Sequence, residues 1–130
     1  MAKIEFTLSH GLPFGQGNDA ELQYDVVLRE LTTRDVIEAR TKAEQVVFVP
    51  DPQTGGERGI TVVSEVRMGI ELLCRQIESI GEIKGPLPER QLYQLHVDDF
   101  SLLNEQAERL DAAVGVAEKR GRLEQSGSRT

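Results

Sequence analysis

Two stretches near the start of the chain alternate apolar and polar residues. The first runs over residues 3–9 and the second over residues 21–29, with an apolar side chain at nearly every second position. A period of two is typical of strands with one buried face, so we predict that the two stretches pair as an antiparallel β-hairpin. Residues 10–20 between them are rich in glycine, which predicts a mobile loop rather than a tight turn.

Apolar residues spaced three and four apart predict helices in the rest of the chain. Thr32, followed three residues later by Asp35, is a capping-box pattern and marks the start of the first helix. Gly81 stands where a left-handed C-terminal cap would end the second helix. We predict the helices over residues 33–46, 65–80, 89–95 and 99–118.

One segment between the first two helices leaves two interpretations open. Residues 60–63 are rich in β-branched side chains, and they predict either a short strand that pairs with residues 46–49 or a loop that leads into the next helix. The fold is predicted to be α+β, with an N-terminal antiparallel β-hairpin followed by a mainly helical bundle of three to four helices. A single domain is expected over residues 1–118, followed by a flexible basic tail over residues 119–130.

The two long predicted helices each carry an apolar seam with heptad spacing. Such a seam packs either inside a helical bundle or against a partner, and the spacing alone leaves both interpretations open. We assign the candidate surface for partner binding or self-association to the seam residues Ile70, Leu73, Ile77, Phe100, Leu103, Leu110 and Val114.

Charge and hydropathy narrow the range of partners and compartments. The 130 residues include 22 acidic and 15 basic side chains, a net charge of −7, and residues 119–130 carry four basic side chains and one acidic one. An acidic body repels phosphate, so nucleic acid is not expected as the main partner. No apolar run reaches the roughly 20 residues of a membrane helix, and the first residues lack an apolar signal core, so we expect a cytoplasmic protein.

The residue types that carry enzyme chemistry are sparse and scattered. His10 and His96 have no Cys or Glu at ligand spacing, so no zinc site is predicted. Cys74, the single cysteine, falls on a helix flank where a packed thiol is the usual arrangement. Asp98 and Asp99 are interpreted as helix-capping residues rather than metal ligands. We therefore predict a protein without catalytic residues, metal or cofactor.

Several motifs of the sequence are nevertheless informative when they are taken together. They are the segments 28–35, 72–77, 80–83 and 85–87, together with Gln91, Leu92, Leu95, Asp98, Asp99 and Leu103. With these motifs the sequence resembles the tail assembly chaperones of contractile-tailed, Mu-like bacteriophages over about residues 4–114. Residues 28–35 are similar to the segment that joins the family's N-terminal strands to its first helix, while residues 50–59 and the tail after Lys119 have no match.

The resemblance implies a function in virus assembly. A member of this family is expected to be a small protein of the host cytoplasm, absent from the mature virion, that binds the tape measure protein, keeps it soluble and brings tail tube subunits to it. In many relatives a programmed frameshift adds a C-terminal extension that contacts the tube protein. The sequence leaves open whether the protein also forms a homo-oligomer. The alternatives are an acidic regulatory or DNA-mimic protein that binds a host factor, and a small tail component of the virion.

Overall fold

The computed structural model describes the backbone of residues 1–126 and the side chains of residues 1–115. The chain folds into two compact units, one formed by residues 1–30 together with the chain from Leu73 onward, and one formed by Leu31–Leu72. The elements are β1 (Lys3–Phe14), β2 (Glu21–Arg29), α1 (Thr33–Ala43), β3 (Glu44–Pro50), β4 (Glu57–Val63), α2 (Glu65–Gln76), β5 (Ile77–Ile80), β6 (Ile83–Lys84), α3 (Glu89–Leu92) and α4 (Val97–Ser126).

The first unit is built on a four-stranded antiparallel sheet with the order β1-β2-β5-β6. Phe6, Val26 and Ile80 lie in register across three of these strands, so their side chains share one face of the sheet. Helix α4 packs against β1. The apolar core of this unit consists of Leu8, Leu12, Val26, Leu28, Leu73, Cys74, Ile77, Ile80, Ile83, Leu87, Leu92, Leu103, Ala107 and Leu110.

The predicted N-terminal hairpin is confirmed, but the predicted loop over residues 10–20 is wrong in its first half. Strand β1 continues to Phe14, and residues 15–20, which include the short 3-10 turn Gly17–Asp19, connect it to β2. The pairing register shifts between Thr7 and Leu12, which indicates a β-bulge. Gly11 lies in this bulge with φ of +86°, a conformation that glycine adopts without strain. Gly11, one of the glycines on which the loop prediction was based, therefore lies in an irregular strand.

The predicted helical bundle is wrong, because the helix expected over residues 65–80 ends at Gln76 and the chain continues as β5. Strand β5 pairs with β2 through Val26 opposite Ile80 and Leu28 opposite Ile77, with a register irregularity between these pairs. Because of this irregularity, Ile77 and Ile80, which are three residues apart, lie opposite Leu28 and Val26, which are two residues apart. Gly81, predicted as a helix cap, instead has φ of +57° in the turn between β5 and β6.

The second unit begins with the predicted capping box, which is confirmed. The Thr32 hydroxyl accepts a hydrogen bond from the Asp35 backbone N–H at 3.2 Å, and the Thr32 N–H donates to the Asp35 carboxylate at 2.8 Å. Helix α1 ends at Ala43 rather than at residue 46, and the chain passes directly into β3. Strands β3 and β4 form a separate antiparallel hairpin, so the strand interpretation of residues 60–63 is confirmed.

The last two helices differ in length from the predicted ones. Helix α3 is a single turn, whereas α4 begins at Val97 and continues to Ser126. The first eight residues of the predicted basic tail are thus assigned to α4, and residues 127–130 lie outside the part that the structure describes. Within the described residues, no helix is both long and apolar enough to cross a membrane.

Candidate interaction site

The seam residues predicted as a binding surface are mostly inside the protein. Leu73, Ile77, Leu103 and Leu110 belong to the core of the first unit and are almost fully buried. Phe100 and Val114 on α4 and Ile70 on α2 are half-buried. Because four of the seven residues are buried, the structure does not present the seven as one exposed surface. The buried residues are two of the three in the first seam and two of the four in the second.

Large apolar side chains are exposed elsewhere, at positions that sequence reasoning did not single out as a site. They occur in both units. In the first unit they are Met1, Phe14, Leu22, Tyr24, Tyr93 and Val97, and in the second unit they are Val36, Ile37, Val46, Phe48 and Val66. Single exposed apolar residues are common on protein surfaces, so the informative cases are those in which neighbours form a continuous face.

The β3–β4 hairpin presents such a face. Val46 and Phe48 alternate along β3, and Thr61 and Gly59 lie opposite them on β4. A Cβ atom at position 59 would lie 3.2 Å from Val46 Cγ1 and 3.5 Å from Phe48 Cε1, so both side chains rest over the bare backbone of Gly59. Val46 is 62% exposed and Phe48 is 69% exposed. We call Val46, Phe48, Gly59 and Thr61 the hairpin face.

The opposite side of the same hairpin is also apolar. Val47 and Val49 on β3 and Ile60 and Val62 on β4 point to that side, and all four are half-buried. Within the described residues the sheet has two strands, so β3 and β4 each have one edge without a neighbouring strand. Unpaired edges can accept an added strand from a partner, and apolar side chains on the adjacent face can hold it. The hairpin therefore offers both main-chain and side-chain binding positions.

A second apolar patch lies at the start of β2, near the connection between β1 and β2. Leu22 and Tyr24 alternate on β2 and are both exposed. A Cβ atom at position 11 would lie 3.0 Å from Tyr24 Cε1 and 3.1 Å from Leu22 Cβ, so these side chains cover the Gly11 backbone. The patch depends on the same bulge that shifts the register of β1.

The junction between β1 and α4 is held by one buried carboxylate. Asp99, in the first turn of α4, is fully buried, and it accepts hydrogen bonds from the N–H groups of Ser9 at 2.8 Å, His10 at 2.9 Å and Gly11 at 3.0 Å. The prediction that Asp99 caps its own helix misses this partner strand. Its carboxylate satisfies the backbone donors that the β-bulge removes from the ladder.

Three side chains with metal-ligating atoms stand at the surface of this junction. The rings of His10 and His96 are stacked, with centroids 3.6 Å apart and an angle of 11° between their planes. Asp98 lies beside both rings, and its backbone N–H donates to His96 Nδ1 at 3.1 Å. Among the described residues this is the one group of three or more such side chains with convergent ligand atoms.

Comparisons with known proteins give the family. A family model described as the tail assembly protein gp41 matches residues 8–122. The chain is 46% identical over 118 residues to the probable tail assembly protein gp41 of Escherichia phage Mu, a match that covers 89% of this chain and 78% of that protein. It is 34% identical over 128 residues to the Mu-like prophage FluMu protein gp41 of Haemophilus influenzae, covering 98% and 94%.

A longer relative from the same phage also matches. The chain is 46% identical over 110 residues to the probable tail assembly protein FS-gp41 of Escherichia phage Mu, and the match covers 85% of this chain but 55% of that relative. No solved structure matches the chain. The resemblance to Mu-like tail proteins is thereby confirmed, and the chain belongs to the gp41 family of phage tail assembly proteins.

Proposed function

We propose that this tail assembly protein is a chaperone that binds the tape measure protein, keeps it soluble before the tail is built and recruits tail tube subunits to it. Membership of the gp41 family supports a role in the assembly of a phage tail. The observation that carries the proposal is the exposed hairpin face, because Val46 and Phe48 leave apolar surface in water that a bound chain would cover.

The hairpin face suits a partner that exposes an apolar stripe. A helix-rich protein waiting for assembly has apolar helix faces that would otherwise associate with one another, and covering such a face prevents that association. Val46 and Phe48 lie side by side over Gly59, so they form a flat apolar strip rather than two isolated side chains. A partner helix or strand laid along β3 would contact both.

The net charge of −7 supports the same function. A strongly acidic surface keeps protein complexes apart in solution, so the charge would keep a chaperone complex soluble while its apolar face is occupied. In this proposal the protein acts by binding alone, without a catalytic step, works in the host cytoplasm and is absent from the finished particle. Mass spectrometry of purified tails tests the last point, since a stoichiometric amount in the particle would identify a tail component instead.

Co-expression with the tape measure protein tests the proposed chaperone activity. Phe48→Asp and Val46→Asp place a charge on the hairpin face, and we expect each to lower the soluble fraction of the tape measure protein and its co-purification. Val66→Asp is the matched control, because Val66 is an exposed valine in the first turn of α2, where an acidic side chain is well tolerated. Circular dichroism verifies that the variants are folded.

Two results would contradict this proposal. Folded Phe48→Asp and Val46→Asp proteins that still solubilise the tape measure protein would exclude the hairpin face as the binding site. A wild-type protein that neither solubilises nor co-purifies with the tape measure protein would exclude the chaperone function. Recruitment of the tail tube is tested separately, by retention of tube subunits on the immobilised complex compared with the immobilised chaperone alone.

A further inference from the structure

The only two histidines of the chain lie against each other although they are far apart in sequence. His10 comes from the bulge of β1, whereas His96 directly precedes α4 and Asp98 lies in its first turn. We propose that His10, His96 and Asp98 bind a divalent first-row transition metal ion of the zinc type. Two imidazoles and a carboxylate form a donor set that suits such ions.

The spacing of the ligand atoms fits one metal ion. Asp98 Oδ2 lies 3.2 Å from His10 Nε2 and 3.5 Å from His96 Nδ1. Two ligands of a tetrahedral zinc ion are about 3.3 Å apart, because zinc–nitrogen and zinc–oxygen bonds are roughly 2.0–2.2 Å long. One ligand atom from each of the three residues falls within 4.8 Å of the others. Because the two rings are stacked and nearly parallel, they would have to turn out of this stack before both nitrogens could point at one ion.

The backbone of this site is positioned before any ion binds. The His10 N–H donates to the buried Asp99 carboxylate at 2.9 Å, and so do the N–H groups of the residues on either side of His10. Asp99 therefore fixes the β1 bulge to the first turn of α4, which carries Asp98. A site whose backbone is already held in place loses less conformational entropy on binding than a flexible one.

The surroundings allow an ion to enter and to complete its coordination. The side chains of His10, His96 and Asp98 are 44%, 46% and 67% exposed, so water can fill the remaining positions. Binding at His96 Nδ1 would replace the hydrogen bond that this atom accepts from the Asp98 amide. The chain's single cysteine, Cys74, is buried, so no exposed thiolate competes for the ion.

Isothermal titration calorimetry tests the site, with zinc chloride titrated into the full chain in chelator-free buffer. We expect one zinc ion per chain, and a loss of affinity of at least about tenfold in His10→Gln, His96→Asn and Asp98→Asn, since removing even an outer partner of a ligand costs that much. Asparagine at position 96 retains an acceptor for the Asp98 amide. Glu5→Gln, which removes an exposed β1 carboxylate, is the matched control and should bind zinc normally.

The imidazole NMR signals of the two histidines give a second readout that does not depend on affinity alone. Both rings should shift together and saturate at one equivalent of zinc. A His10→Gln/His96→Asn double variant that binds zinc as tightly as the wild type would overturn the proposal and leave an adventitious ion only. A shift of one ring without the other would overturn the three-ligand arrangement.

Discussion

Replacing Asp99 by asparagine removes one charge from the interior while changing the shape of the side chain very little. The carboxylate accepts three backbone hydrogen bonds, one at Oδ1 from Ser9 and two at Oδ2 from His10 and Gly11. An asparagine offers one oxygen in place of two. Whichever way the amide is turned, at least one strand N–H then faces an NH2 group that cannot accept its hydrogen.

The magnitude follows from these bonds. Leaving one of these part-buried or buried donors without an acceptor costs about 1–3 kcal/mol. Each of the two remaining hydrogen bonds is weakened by about 1 kcal/mol, because its acceptor is no longer charged. We therefore expect Asp99→Asn to lower the free energy of unfolding by about 3–5 kcal/mol. That is a large part of the roughly 5–15 kcal/mol by which domains are stable.

Urea unfolding followed by circular dichroism measures this loss, with a chelator present so that metal binding does not contribute. Asp98→Asn is the matched control, because Asp98 also lies in the first turn of α4 but is exposed. Both variants lose a similar favourable interaction with the helix dipole, so their difference isolates the hydrogen bonds to β1. If the two variants unfold within about 1 kcal/mol of each other, Asp99 does not hold the strand as described.

Three further substitutions test the packing, each by urea unfolding. Gly85→Ala should destabilise the protein by more than about 2 kcal/mol, because a Cβ atom there would overlap the Ile77 carbonyl oxygen, and a near-neutral result would contradict this geometry. Gly69→Ala should instead stabilise α2 by roughly 0.5–1 kcal/mol, since its Cβ would meet no neighbour within 4 Å; destabilisation would refute that. Leu103→Ala should cost about 2–5 kcal/mol because Leu103 is fully buried, and a loss below about 1 kcal/mol would place it outside the core.

Local signals in the sequence were sufficient where neighbouring residues determine the structure. The alternation in residues 21–29 predicts β2 because every second side chain is apolar, and the Thr32 and Asp35 pair predicts the start of α1 because both hydrogen bonds close within one turn. Neither prediction required knowledge of a distant partner, and the structure confirms both.

Spacing failed where a distant strand decides the conformation. Ile77 and Ile80 are three apart, which fits one face of a helix as well as it fits a strand with a register irregularity. Pairing with Leu28 and Val26 resolves the ambiguity in favour of a strand. Residues 77–80 alone do not indicate that β2 lies beside them. The helical bundle was therefore predicted from local spacing without the long-range pairing that decides the structure.

For a related reason, spacing alone could not tell which of the predicted seam residues are buried. Leu103 and Leu110 have the spacing of a seam, but whether a seam faces the core or the solvent depends on what packs against it, and here it belongs to the core. A usable signal for the exposed site was present at residues 46–49, which are apolar on both sides of a strand. In a hairpin of two strands, one apolar side can remain uncovered.

The order of the sheet has a consequence for synthesis of the chain. Strands β2 and β5 are neighbours, yet the whole of Leu31–Leu72 lies between them in sequence. During translation the β1–β2 hairpin therefore leaves the ribosome well before its third strand exists, and the inner edge of β2 stays unpaired meanwhile. The long loop that β5 must close makes this pairing a slow, late step. Until β5 has been synthesised, the unpaired edge of β2 in the nascent tail assembly protein is therefore exposed to aggregation with other chains.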